Sequence, residues 1–357
     1  MALDRPYALQ TIPGYRASRP GIQIGTGMAI NPSAEEVAFA RQLGVEWVMT
    51  TVDDPSGHTA ENYRRVCERF EEHGLQVYRL ANHSCHNQEQ ITLNLPGRDD
   101  KIQEYLAYIR ALEAAGIHYS TYAHMANGIW STGQELVRGG AKGRAFHIEQ
   151  ARQGWWINRT WDAPLSHGRV YSAEELWDNY AYFIRQVTPV AEEAGVYIGI
   201  HPDDPPVYPL GGVPRCIFGS FEGYKRALEI ADSPNIGMCL CVGCWLEGGV
   251  AMGKDVEETI RYFGGLRKLF KVHLRNVTGP MPEGFAETFL DDGCQDMWAV
   301  IRALHDVGYD GAIISDHLQQ MAGGRWAAEG WALGYMRGLV QAVEHQAAAE
   351  RASATNR

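Results

Sequence analysis

The run VYIGIH, residues 196–201, is a short apolar stretch that ends on a histidine. An apolar run of this length, bounded by polar segments, reads as a strand buried on both faces, as in a parallel sheet. The pattern recurs three times downstream. IGMCLC (236–241) ends on Cys241, LFKVH (269–273) on His273 and GAIISD (311–316) on Asp316. Helical stretches separate the four runs. Metal-type side chains at the ends of four successive strands describe one metal site assembled on a parallel barrel.

Working outward, strand and helix signals alternate along the whole chain, the mark of βα units. GIQIGTGM (21–28) leads to a helix from Ser33, whose hydroxyl can cap it with Glu36 three residues on. EWVMTTV (46–52) precedes the amphipathic ENYRRVCERFEEH, and QVYRLAN (76–82) precedes an extended loop and RDDKIQEYLAYIRALEAAG. YSTYAH (119–124) is followed by a long irregular region, 127–170, rich in Gly and Trp. Ser172 opens a helix with Pro189 as a kink, and further helices are expected around 220–232, 255–264, 295–307 and 329–346. Eight βα pairs predict a single-domain (β/α)8 TIM barrel over 21–346, with long loops at its C-terminal face. Residues 1–20 read as an N-terminal arm and 347–357 as a C-terminal tail. No G-x-G-x-x-G follows an early strand, so a dinucleotide-binding open sheet has little support.

The bulk properties fit such a barrel. Lys and Arg number 32 against 43 Asp and Glu, a formal charge of −11, and the basic residues are scattered. That argues against nucleic acid as a partner. No run of eighteen apolar residues occurs, which argues against a membrane span. The first twenty residues lack the apolar stretch of a secretory signal, and the seven cysteines are odd in number, with no disulfide framework apparent. A reducing cytoplasm is the expected location.

In TIM barrels, chemistry sits at the C-terminal ends of the strands. The residues there are Asn82, His124, His201, Cys241, His273, Arg275, Asp316 and His317. Alone, a strand-end His or Asp is more often a hydrogen-bonding residue than a ligand; four on contiguous strands are not. Two imidazoles, a thiolate and a carboxylate are an unusual set for structural zinc and suit a catalytic divalent ion with an open position. Cys241-Val-Gly-Cys244 is formally C-x-x-C, but it sits at a strand end rather than opening a helix, against a redox role. Cys239 and Cys244 read as buried small side chains, with Cys239 facing inward one layer below Cys241. After His201, Pro-Asp-Asp-Pro-Pro forms a rigid turn. In it Asp203 and Asp204 either cap the turn or bind a hydroxylated ligand or the metal shell. Arg275 shares the inward face of His273, where a guanidinium needs an anion, and a substrate carboxylate is the expected one.

With these residues in place, the chain resembles the mannonate dehydratase family of xylose-isomerase-like barrels. The resemblance runs from about Ile91 to the C-terminal helix, and HPDDPP together with HLRNV is its specific part. It implies His201, Cys241, His273 and Asp316 as ligands of Mn²⁺ or Fe²⁺, and loss of water from D-mannonate to give 2-keto-3-deoxy-D-gluconate. His317 is then the first choice for proton transfer beside Asp316, with Arg275, Asn276, Asp203, Asp204 and His124 left to contact a small sugar acid. Loop tryptophans and family habit point to a homo-oligomer. The last-strand motif departs from the family's Arg-Pro-Asp-His-Gly, reading Ile314-Ser315-Asp316-His317-Leu318, and no tyrosine precedes Ala332-Leu333-Gly334. An isomerase or epimerase on the same metal site is therefore the alternative. A non-catalytic carbohydrate-binding or metal-storage barrel is a third reading.

Overall fold

The computed structural model describes residues 6–355. Eight parallel strands make one sheet: β1 (Gln23–Gly27), β2 (Trp47–Thr51), β3 (Gln76–Ala81), β4 (Tyr119–Ala123), β5 (Tyr197–His201), β6 (Ile236–Cys241), β7 (Leu269–His273) and β8 (Ala312–Ile314). Their order is β3-β2-β1-β8-β7-β6-β5-β4, with every neighbouring pair parallel. The sheet thus curls into a nearly closed barrel, the expected fold. At the seam between β3 and β4, the Tyr108 hydroxyl donates to the Leu80 carbonyl at 2.6 Å. His86 Nδ1 meets the Thr121 carbonyl at 2.9 Å in the same gap.

The helices follow their strands as α1 (Ala34–Gln42), α2 (Ala60–Glu71), α3 (Arg98–Ala114), α4 (Ala173–Glu193), α5 (Phe221–Ala231), α6 (Val256–Gly265), α7 (Met297–Asp306) and α8 (Gly324–Thr355). Ser33, Ser172 and Asp255 each close a reciprocal capping box with a glutamate three residues on, satisfying amide donors that a helix start leaves unpaired. α8 runs well beyond the expected 329–346 at both ends. Outward strand residues such as Val48, Leu80, Ile198, Leu240 and Val272 pack under these helices in the main core.

A second core fills the barrel's base. A hairpin of Tyr7–Ala8 and Arg16–Ala17 lies under the strands and sends Leu9, Ile12 and Tyr15 up against Trp47, Tyr78, Tyr119 and Phe270. The N-terminal arm is therefore a plug, held by the Tyr15 hydroxyl donating to the Tyr78 carbonyl at 2.6 Å. Gly199 on β5 makes room for this packing, since a Cβ there would lie 2.6 Å from the Tyr119 hydroxyl.

Two strands carry an extra residue. The β2–β3 pairing jumps from Val48↔Val77 to Met49↔Arg79, and the β6–β7 pairing from Met238↔Leu269 to Cys239↔Lys271. Each jump is a β-bulge, which re-aims the side chains after it. The region 127–170 departs from the irregular loop expected. It contributes the hairpins Gly133–Leu136 with Lys142–Phe146 and Gln153–Trp156 with Arg159–Asp162. The first hairpin joins Phe285–Thr288 and Asn276–Val277, from the loop after β7, in a four-stranded antiparallel lid sheet.

Candidate active site

The ends of β5 to β8 bring the four expected donors together. Cys241 Sγ lies 3.7 Å from Asp316 Oδ2, and His273 Nδ1 lies 3.1 Å from Asp316 Oδ1. Ligand atoms of Cys241, His273 and Asp316 all fall within 4.8 Å of one another, as do those of His201, Cys241 and Cys244. Donors about 2.0–2.4 Å from one ion stand roughly 3–3.7 Å apart, so this spacing suits a shared divalent cation. His273 Nδ1 is sealed from solvent and, although 3.1 Å from Asp316, makes no hydrogen bond, so it is an orphaned buried nitrogen that a cation would satisfy. The His201 ring centroid is 5.1 Å from that of His273. His201 Nδ1 donates to the Pro202 carbonyl at 2.7 Å, which leaves Nε2 as the free ligating nitrogen. Asp316 holds a φ of 58°, a left-handed conformation uncommon outside glycine that clusters at functional sites.

Around these donors lies a buried charge network. Arg275, only 1% exposed, reaches Glu247 at 2.9 Å, Glu287 at 3.1 Å, Asp316 at 3.2 Å and Asp204 at 3.3 Å. It also donates to Cys244 Sγ at 2.9 Å. Arg144, from the lid hairpin, adds contacts to Asp204 and Glu287 at 2.7 Å and to Glu247 at 2.9 Å. The grouping of Asp204, Cys244 and Glu247 is thus filled by guanidinium groups and is no second metal site. His317 Nδ1 stands 2.7 Å from Glu287 and 3.0 Å from Arg275. Burial lowers its affinity for a proton, but Asp316 and Glu287 outweigh that and lift it to about 9. Burial pushes the Cys241 thiol up, yet it is drawn well below its usual value, chiefly by the Cys244 side chain and Arg275.

Comparison with known proteins identifies the family. The family profile of D-mannonate dehydratase (UxuA) matches residues 160–350. Mannonate dehydratase 2 of Halalkalibacterium halodurans is 31% identical over 77% of this chain and 84% of its own. The chain belongs to the mannonate dehydratase family. The mannonate dehydratase of Thermotoga maritima is also 31% identical, over 85% of this chain and 92% of its own. The crystal structure of mannonate dehydratase from Streptococcus suis superposes with a TM-score of 0.79 at 27% identity, over 92% of this chain and 95% of that one. An L-ribulose 3-epimerase, with a TM-score of 0.58 at 14% identity, covers 91% of this chain and 97% of its own and shares the fold.

Other residues of this mannonate dehydratase family member sit away from the roles the sequence gives them. Arg275 meets the protein's own carboxylates rather than waiting for a substrate's. Asp204 pairs with Arg144 and Arg275, and Asp203 faces Arg215 at 3.6 Å, with burial lifting its carboxyl to about 6. Asn276 spends its amide on the carbonyls of Leu290 and Gln295, fixing the loop after β7. Asn82 caps the short helix His83–His86. His124 has the parity of outward-facing Tyr122, bonds that residue's hydroxyl at 2.9 Å, and packs among Tyr180, Phe183 and Phe218 under the helices. Cys241 does open a helix, capping Val242–Gly248 by accepting the Cys244 amide at 3.5 Å. Its thiol nonetheless faces Asp316. Cys239 points inward as expected, its Sγ 3.4 Å from His273 Nε2. Sequence reading missed Arg144, Glu247 and Glu287, which complete the network from separate stretches of chain. Beyond Asp316, Leu318, Gln319, Gln320, Arg325 and Glu329 line an open cavity. The wall carries no tyrosine; its half-buried carboxyl, Glu329, accepts a hydrogen bond from Thr26.

Proposed function

We propose that this protein dehydrates D-mannonate, or a close aldonate, to the 2-keto-3-deoxy acid, with His201, Cys241, His273 and Asp316 holding Mn²⁺ or Fe²⁺. The convergence of these four donors from four consecutive strands, with His317 beside them, carries the reading. Relatives named mannonate dehydratase over most of the chain support it. A divalent ion held there supplies an electrophile that lowers the cost of charge building up as the C2 proton leaves.

Dehydration takes one proton from C2 and delivers one to the C3 oxygen. His317 is equipped for the delivery. Asp316 and Glu287 keep it protonated at neutral pH, and its side chain is 38% exposed at the mouth rather than sealed in the core. Glu287 fixes the ring through Nδ1, leaving Nε2 to meet substrate. Arg275 and Arg144 hold Asp204, Glu247 and Glu287 in place around that centre. The seven cysteines are free, which suits a reducing cytoplasm, and no described helix is long and apolar enough to cross a membrane. Exposed Leu136, Trp155, Ile157 and Val170 on the 127–170 region supply a face for a homo-oligomer.

The test is incubation of Mn²⁺-loaded protein with a panel of aldonates, scoring 2-keto-3-deoxy products and C2 epimers together. Keto-deoxy product from D-mannonate, lost in Cys241→Ala and reduced about 100-fold or more in His317→Asn, is expected. Epimers without keto-deoxy product would move the assignment to an epimerase on the same site, which the cavity wall without a tyrosine allows. Bound metal with no turnover of any sugar acid would leave a binding protein.

A further inference from the structure

Two cations inside the barrel have no protein carboxylate. Arg215 and Arg275 are buried and Arg144 nearly so, and each faces at least one Asp or Glu within 4 Å. Arg79 on β3 and Lys271 on β7 have no such partner among the described residues. Lys271 is 2% exposed and donates no hydrogen bond within the protein. Arg79 Nε is sealed from solvent and unpaired. Among the described residues its guanidinium has one hydrogen-bonding contact, His86 Nδ1 at 3.4 Å. That nitrogen lies 2.9 Å from the Thr121 carbonyl, an acceptor, and so must carry the ring proton. It therefore has no lone pair for Arg79.

Both side chains are set by the bulges. Tyr78 and Phe270 are the extra residues of β3 and β7, and both turn into the barrel's base, where the Tyr78 hydroxyl donates to the Phe270 carbonyl at 2.6 Å. Arg79 and Lys271 are the next residues up on either side of that link. Burial and the nearby Arg79 disfavour the Lys271 ammonium, while Cys239 and, more weakly, Asp316 favour it. Lys271 is within reach of the expected metal donors, because it pairs in register with Cys239, whose Sγ is 3.4 Å from His273 Nε2. Gly27 on β1, which pairs with Met49 and through it with Arg79, leaves that row open: a Cβ there would meet nothing within 4 Å. Two cations on the inner face of one barrel without a carboxylate partner are disfavoured while no anion is present. An anion binding there removes that penalty.

We propose that Arg79 and Lys271 bind the substrate's carboxylate. The assignment rests on the sugar-acid reading and supplies the anchor that Arg275, already neutralised, does not. A carboxylate carbon is bonded to C2, so its site has to adjoin the metal donors, as Lys271 does. Arg79 offers a two-pronged guanidinium and Lys271 a point charge, which together can hold both carboxylate oxygens.

Arg79→Met and Lys271→Met test this in the Mn²⁺-loaded protein, with metal content and circular dichroism checked against wild type. D-mannonate should raise the wild-type melting temperature more than D-mannitol, its uncharged six-carbon counterpart, and each substitution should erase that difference. KM for D-mannonate should rise roughly 10- to 100-fold, the worth of one charge-assisted contact, with kcat less affected. Lys271→Arg should restore part of the loss. If Lys271→Met does not fold, the partly exposed Arg79→Met carries the comparison. Unchanged KM and an unchanged mannonate-specific shift in both variants overturn the carboxylate site while leaving the dehydratase reading intact. A mannonate-specific shift lost in the variants, with no keto-deoxy product even from wild type, keeps the site and removes the reaction.

Discussion

Arg275 shows how one side chain can look like a substrate handle and serve as a girder. Its four carboxylate partners are all nearly or fully buried, and although Arg144 shares three of them, Arg275 is the guanidinium that touches all four. Arg275→Met should therefore destabilise the fold by about 3–5 kcal/mol, the cost of stranding buried charges, with the urea midpoint as the measure. A loss under about 1 kcal/mol would mean that Arg144 alone neutralises the cluster. His124 makes a second residue-scale prediction. Burial among aromatic rings drops its ring to about 3, against roughly 6.5 in an unfolded chain. The unfolded state thus binds the extra proton, so the stability from neutral His124 is complete above about pH 6.5 and drains away as pH falls. At pH 5 the loss is about 2 kcal/mol. His124→Gln should flatten the slope of unfolding free energy between pH 6.5 and 5; a slope identical to wild type would show that other groups, such as buried His86, account for it all.

Among the elements, the short helix Val242–Gly248 decides where Arg275 can lie. A Cβ on Gly243 would stand 2.0 Å from Arg275 Nε. Alanine gains up to about 1 kcal/mol in helix propensity over glycine, but a contact that close forces the guanidinium aside at about 1–3 kcal/mol. Gly243→Ala should be net destabilising and should lower metal affinity, read by manganese titration; a more stable variant with unchanged affinity would refute the packing argument. The same scale explains what the sequence makes legible. Strands buried on both faces must be apolar throughout, so VYIGIH and its three counterparts mark β5 to β8 to within two residues at their ends. Lid strands lack that constraint: Gly133–Leu136 is exposed at every position, so nothing in its composition marks it as a strand. Lys271 is readable by the alternation that places Arg275 on the face of His273. Arg79 is not, because a bulge shifts β3 by one residue and no local sequence signal announces it. Glu247 on the short helix after β6, and Glu287 and Arg144 on two lid strands, converge from separate stretches of chain, and only tertiary structure brings them within reach of Arg275.

At the scale of the whole molecule the barrel is lopsided, with the metal donors confined to β5–β8 and the unpaired seam lying between β3 and β4. The base is closed independently by the N-terminal plug and its tyrosine hydrogen bonds. Metal binding should therefore stabilise one half of the mouth and leave the base as it is. An ion at about 1,000 times its Kd adds about 4 kcal/mol by mass action. In a domain of this size that corresponds to a rise in Tm on the order of 5–10 °C. Chelator-treated wild type should recover that rise on adding Mn²⁺, whereas Cys241→Ala and Asp316→Asn should not. Hydrogen exchange gives the location. Amides at the ends of β6 and β7 and in the helix capped by Cys241 should slow on metal addition, because their side chains or carbonyl neighbours become fixed. Those of β1 and the Tyr7–Ala17 hairpin should keep their rates. Uniform slowing over the whole barrel would mean that the ion acts only through global stability; slowing confined to β5–β8 places it on the four strand ends, where the chain's apolar runs stop.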